Sequence, residues 1–303
     1  MSNAMDELEF QDRETSPTPS LSLSEKTQVL GNADVRYLDL LKRCLTASIY
    51  PESGWMIVPT TGPFAARGLG GIIARLMKKK GRHVVIPRPF SVEVREKGGD
   101  WPMFGYSMMG LQRMNNLQAC VESILRDGIP GDVLEAGVWR GGGCILMKAI
   151  LEIFSDSTRN VWVADSFQGL PVAAHAVDVE QGKNHDLSDF EYLSVSAEEV
   201  KENFRRFGVL DERVRFLPGW FHETLPSAPI DRLALLRLDG DMYESTRDIL
   251  SALYARLSPG AYVIVDDYHS WTGCKTAIDE FRSQHSIVAP MIEIDGAGVW
   301  WRT

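Results

Sequence analysis

The chain has 303 residues, 44% of them hydrophobic, and a formal net charge of −9. That is apolar material for one large core or two modest domains. The acidic balance, with no basic stripe, argues against nucleic acid as a partner. Four scattered cysteines (Cys44, Cys120, Cys144, Cys274) without CxxC spacing argue against a zinc knuckle and fit reduced thiols in a cytoplasm. No secretory signal opens the sequence, and no apolar run reaches the roughly 18 residues of a membrane span.

Met1-Ser2-Asn3-Ala4 ahead of Met5 reads as a cloning remnant. Residues 1–33, acidic and then rich in Ser, Thr and Pro, have little to bury and are expected to be disordered. Residues 34–127 are predicted as an N-terminal helical and lid region. Arg36 to Tyr50 carries a helical stripe of Tyr37, Leu38, Leu41 and Leu45. Trp55 to Arg82 is apolar and Gly-rich and ends on Lys78-Lys79-Lys80. It reads as a small helical subdomain rather than a membrane-binding face, because Gly and Pro interrupt it; a lid over substrate fits within that reading. Met108 to Leu125 has helical spacing (Leu111, Met114, Leu117, Val121, Ile124) and stops at Asp127-Gly128.

The core, residues 128–303, begins with a predicted strand over Asp132 to Ala136. It runs into Glu135-Ala136-Gly137-Val138-Trp139-Arg140-Gly141-Gly142-Gly143, and a helix follows. Strand, Gly-rich turn and helix is cofactor geometry, since glycine lets a ligand approach the backbone and the helix start offers free N–H groups. The turn lacks GxGxxG, and Glu135 would repel a pyrophosphate but suits a cationic or amino-acid-like ligand. A second strand, Val161 to Ala164, ends at Asp165, where a parallel sheet grips ribose hydroxyls; a helix N-cap is the alternative. Phe167 to Phe190, with His175 and His185, has no periodicity and reads as a long surface loop. Ser196 and Glu199 open a helix as a capping box. Val214 to Pro218 is the third strand, with Trp220 placed to cover a flat base or to serve as plain rim. Leu233 to Leu238 and Ala261 to Val265 are the fourth and fifth strands, Gly273 to Gln284 a helix, and Ile287 to Trp301 a closing hairpin around Asp295-Gly296.

The fourth and fifth strands end on acids: Asp239 and Asp241 after LLRL, Asp266 and Asp267 after VIV. A helix over Tyr243 to Leu257 joins them, so the strands are parallel and their ends share one edge of the sheet. Open parallel sheets bind ligands at that edge. Carboxylates crowded there repel one another unless some take up protons or a hard cation such as Mg²⁺ joins them. The alternative is that they cap helices and solvate loop tips. Both sets follow strongly apolar strands, which favours the metal. The whole predicts a doubly wound α/β fold, a mostly parallel seven-stranded sheet with a reversed final strand.

The segments IPGDVLEAGVWRGGG, VWVADSFQGLP, VRFLPGWFHETLP, LALLRLDGDMYEST and LSPGAYVIVDDYHSW resemble the macrocin O-methyltransferase (TylF-type) family of class I, Rossmann-like, S-adenosylmethionine-dependent methyltransferases. RYLDLLKRCLT and YSMMGLQRMNNLQ resemble it too; Glu52 to Gly99 cannot be placed. The resemblance implies Mg²⁺-dependent O-methylation of a deoxysugar hydroxyl in a glycosylated natural product, as in antibiotic biosynthesis. It implies metal acids at Asp239, Asp266 and Asp267, with Asp241 behind them. It implies S-adenosylmethionine contacts at Ser107, Met108, Glu135, Gly137, Asp165, Ser166 and Trp220. Asp239 is the expected base, with His269 second because its pKa suits proton transfer near neutrality. A catechol-type O-methyltransferase is the alternative function. Exposed apolar residues near the N-terminal helices would suit a homodimer.

Overall fold

The structure is a computed structural model, and it describes residues 30–50, 54–58, 68–80, 82, 84–185, 188 and 190–303. The expectation of a disordered tail falls largely outside these residues. The N-terminal part comprises α1 (Asn32–Leu45), β1 (Gly54–Ile57), α2 (Gly68–Lys78), β2 (Val85–Arg88), α3 (Val92–Glu96) and β3 (Trp101–Pro102). Helix α4 (Leu111–Arg126) leads into the part that forms the main sheet: β4 (Asp132–Ala136), α5 (Gly142–Ile153), β5 (Val161–Asp165), α6 (Ala176–His185), α7 (Ala197–Arg206), β6 (Val214–Pro218) and α8 (Phe221–Thr224). That part closes with β7 (Leu233–Leu238), α9 (Tyr243–Leu253), β8 (Leu257–Val265), α10 (Thr272–Gln284), β9 (Ile292–Glu293) and β10 (Val299–Arg302).

The main sheet has the order β6-β5-β4-β7-β8-β10-β9. The first five strands are parallel, and β10 runs antiparallel to both neighbours, as a doubly wound sheet with a reversed last strand requires. Alternation along the strands explains the two layers of helices. Val133, Val163 and Leu235 face one side with Leu38, Met114, Leu117, Ile145 and Phe204. Leu134, Trp162, Leu236 and Val263 face the other with Ile249, Leu250, Ile278 and Phe281. Every residue of β7 is buried, as in a central strand covered on both faces. The chain winds outward from β4 to β6, then returns to place β7 on the other side of β4. That reversal opens a crevice between the ends of β4 and β7.

Two segments depart from the sequence expectations. The stretch around Trp55 to Arg82 supplies α2 but also a strand of a small antiparallel sheet, β2-β1-β3. Its Trp, Met, Ile and Val residues favour pleated pairing, and Pro87 is tolerated because β2 is an edge. The long loop expected over Phe167 to Phe190 contains α6. Its anchor is tertiary, not an apolar stripe: the buried Asp178 carboxylate accepts from Tyr243 N at 2.9 Å, and the His175 ring stacks on Tyr243 at 3.8 Å. Pattern reading cannot see such contacts. The Ser196 hydroxyl caps α7 as expected, accepting from Glu199 N at 3.2 Å.

Candidate active site

The crevice is a cavity of about 300 Å³. Gly137 and Trp139 line it from the turn after β4, Asp165 and Ser166 from the end of β5, and Trp220 and Phe221 from the segment after β6. Asp239, Asp241 and Ser245 come from the end of β7 and the start of α9, and Asp266, Asp267, Ser270 and Trp271 from the end of β8. Gly98, Trp101, Met108 and Arg113 close it from the N-terminal side.

The Gly-rich turn is built for close approach. Gly137 has φ 87°, and a Cβ there would lie 1.8 Å from the Asp239 carbonyl oxygen. Only glycine lets the turn after β4 pass so near the end of β7. Asp165 accepts from Val138 N at 2.8 Å and Trp139 N at 3.4 Å through one oxygen, and from Phe167 N at 2.7 Å through the other. Its carboxylate therefore pins two turns together while still facing the cavity. Among the expected cofactor residues, Met108, Gly137, Asp165, Ser166 and Trp220 line the cavity. Glu135 and Ser107 lie behind the lining instead. Glu135 bonds Arg237 and accepts from the Cys144 thiol at 3.0 Å; the Ser107 hydroxyl accepts from Met109 N at 3.1 Å. Burial raises the Glu135 carboxyl to about 7, against the pull of Arg237.

The acids form one group. Asp239, Asp241 and Asp267 each offer an oxygen within 4.8 Å of the others. The Asp239 charge opposes the ionisation of Asp267. Burial, then the neighbouring Asp266 charge, pushes Asp239 above its ordinary range, while Arg237 pulls it back. Burial, then the neighbouring carboxylates, pushes Asp241 and Asp267 much higher. Asp266 departs from the expected arrangement. Its two oxygens are paired with Arg113 and Arg237, and Asp241 takes the third place among the clustered oxygens. Asp241 turns into the group because its backbone is left-handed, φ 55°, a conformation Asp tolerates better than most residues.

Sequence reading missed the two arginines. Arg237, 1% exposed, bonds Glu135, Asp266 and, at 3.0 Å, Asp239. Arg113 bonds Asp266, Asp295 at 2.7 Å and the Lys97 carbonyl at 3.2 Å. The available signal was a single charge inside the apolar strand LLRL, which needs partners to be buried. His269 is not brought into the site. It is exposed, its backbone N–H donates to the Ala297 carbonyl at 2.9 Å, and its ring packs edge-on against Tyr268, outside the cavity lining.

A divalent cation fits this donor set. The clustered ligand atoms are all carboxylate oxygens, and Asp267 Oδ2 is buried with no hydrogen-bond partner. Among the described residues, no helix is long and apolar enough to cross a membrane.

Comparison with known proteins agrees with the architecture. The Macrocin-O-methyltransferase (TylF) family profile matches residues 34–303, including the stretch from Glu52 to Gly99 that the motifs left unplaced. The mycinamicin III 3''-O-methyltransferase of Micromonospora griseorubida is 45% identical over 269 residues, 88% of this chain and 95% of that protein. The demethyldecarbamoylnovobiocin O-methyltransferase of Streptomyces niveus is 51% identical over 213 residues, 69% of this chain and 80% of that protein. The solved structure of the O-methyltransferase NovP superposes with a TM-score of 0.74 at 42% identity, covering 89% of this chain and 98% of its own. The chain therefore belongs to the macrocin O-methyltransferase (TylF) family and is an S-adenosylmethionine-dependent O-methyltransferase.

Proposed function

We propose that the enzyme methylates a hydroxyl on a deoxysugar of a glycosylated natural product, with Mg²⁺ at the acid group. The observation that carries this reading is the meeting of Asp239, Asp241 and Asp267 at the ends of β7 and β8, beside the Gly137 turn. The two curated relatives, named for mycinamicin and novobiocin substrates, support the substrate class.

Asp239 and Asp267 are the ligands shared by the family resemblance and the geometry. The resemblance adds Asp266, whereas the side-chain positions add Asp241. A bound Mg²⁺ would neutralise the crowded carboxylates, orient neighbouring acceptor hydroxyls and lower their pKa. The chain does the rest. Gly137 admits the donor close to the backbone, Asp165 and Ser166 face its ribose, Trp220 covers its base, and Met108 meets its methionine end. Asp239, whose carboxyl is raised by burial, takes the hydroxyl proton as the oxygen attacks the methyl in line and the methyl–sulfur bond breaks, leaving S-adenosylhomocysteine. Arg237, 3.0 Å from Asp239, fixes that carboxylate's direction. Alignment of donor and acceptor in one cavity supplies on the order of 7–11 kcal/mol in well-oriented reactions.

The enzyme is assigned to the cytoplasm, where its four free thiols would stay reduced. Exposed Tyr37, Leu40, Leu69, Ile72 and Leu76 on α1 and α2 fit a homodimer, to be read by sedimentation.

The test is methyl transfer from S-adenosylmethionine to a panel of mycinamicin III, demethyldecarbamoylnovobiocin and catechol, scored by mass. Methylation of a glycoside that stops with chelator and returns with Mg²⁺ supports the reading. Turnover of catechol alone replaces it with the aromatic-diol reading, and full activity in excess chelator removes the metal. Asp241→Asn and Asp266→Asn, compared for Mg²⁺ affinity, decide which acid is the third ligand.

A further inference from the structure

The geometry points to an acceptor subsite at the β8 end of the cavity, with Trp271 as the platform on which the sugar lies and Ser245 as a hydrogen-bonding partner for one of its hydroxyls. This rests on the sugar-methylating reading and deepens it.

The cavity is lined by aromatic side chains at both ends, and the strand order separates them. Trp220 and Phe221 follow β6 and share their end with Asp165, the donor side. Trp271 follows β8, and β6 and β8 are separated by β5, β4 and β7. At about 4.8 Å per strand, the two ends lie on the order of 19 Å apart. A donor held at Gly137 and Asp165 therefore leaves Trp271 to whatever faces the acids.

Trp271 is fixed relative to those acids. Its backbone N–H donates to the Asp267 carbonyl at 2.9 Å, and its own carbonyl accepts from Lys275 N at 3.0 Å in the first turn of α10. The indole is partly buried against the core packed around α9 and α10. Ser245, in the first turn of α9, sits close to Gly240 on the other side of the acids: a Cβ on Gly240 would lie 3.2 Å from the Ser245 Cβ. The acid end of the cavity thus brings the Trp271 indole together with carboxylates and hydroxyls from Asp239, Asp241, Ser245, Asp267 and Ser270.

That combination matches a pyranose. A sugar ring has a C–H face that gains by covering an aromatic surface, and hydroxyls that cost free energy when buried unless each finds a partner. A site of aromatics alone would leave the hydroxyls unpaired, and a site of acids alone would leave the C–H face wet.

The experiment compares wild type with Trp271→Leu, Trp271→Phe and Ser245→Ala. The acceptor is whichever of mycinamicin III or demethyldecarbamoylnovobiocin the wild type methylates faster. Trp271→Leu is expected to raise acceptor KM about tenfold, with the dissociation constant of S-adenosylhomocysteine, read by calorimetry, unchanged. Trp271→Phe keeps a flat face and is expected to recover most of the loss. Ser245→Ala is expected to raise KM about fivefold, the worth of one hydrogen bond. An unchanged acceptor KM in Trp271→Leu, or a parallel loss of S-adenosylhomocysteine binding, overturns the assignment. If wild type methylates neither glycoside, the sugar reading falls first, and that result is distinct from either.

Discussion

Arg237 is the test of how the acid group is held. Replacing it with Met keeps the length and removes the charge from a side chain 1% exposed. Asp266 keeps its second partner, Arg113, so the loss falls mainly on Glu135, 2% exposed, whose ion pair is with Arg237. Breaking a buried pair from one side costs about 3–5 kcal/mol. In a chain of this size each kcal/mol moves Tm by about 1.5–2 °C, so the fall is on the order of 5–10 °C. The loss has a pH signature. Glu135 is already raised to about 7 in the fold, so its ionisation opposes folding. The stability tied to its protonated form is complete below the ordinary pKa of 4.5 and is lost as pH rises through about 7. Without the Arg237 charge the folded pKa climbs further, so the variant goes on losing stability above about 7, where wild type levels off, and its deficit widens there. Urea unfolding at about pH 5 and about pH 8 reads both effects. A loss under about 1 kcal/mol, or an equal loss at both pH values, refutes the reasoning; Glu135→Gln added to Arg237→Met should narrow the pH difference.

Other expected outcomes concern the site directly. Since burial and crowding raise Asp239, Asp241 and Asp267, a cation must displace protons to bind. Mg²⁺ affinity should therefore weaken as pH falls, with proton release seen as buffer-dependent calorimetric heats. His269→Ala should leave kcat within about twofold, because the ring lies outside the cavity; a large loss would restore the histidine as base. Gly137→Ala should abolish activity and destabilise the fold, since its Cβ would overlap the Asp239 carbonyl; wild-type Tm and turnover would contradict the close approach.

The parallel strands were legible because β4, β5, β7 and β8 are apolar runs that stop at Gly or Asp, a pattern of local composition. The meeting of Asp239 with Asp267 was legible for the same reason: parallel neighbours end at one edge. What escaped was set by contacts distant in sequence. Asp266 and Asp267 are adjacent and chemically identical, and only the approach of Arg113 from α4 and Arg237 from β7 separates their surroundings. α6 escaped because its anchor, Asp178, is tied to the start of α9 and not to an apolar stripe of its own. His269 looked catalytic from its place beside the acid pair, yet one turn carries its ring out to solvent.

The most direct measurement is anomalous scattering from crystals grown with Mn²⁺ and S-adenosylhomocysteine. The expected result is one strong peak touching both Asp239 and Asp267, on the side of the cavity facing the donor sulfur. No peak there at saturating Mn²⁺, or a peak that touches neither carboxylate, would contradict cation-assisted methyl transfer at this rim.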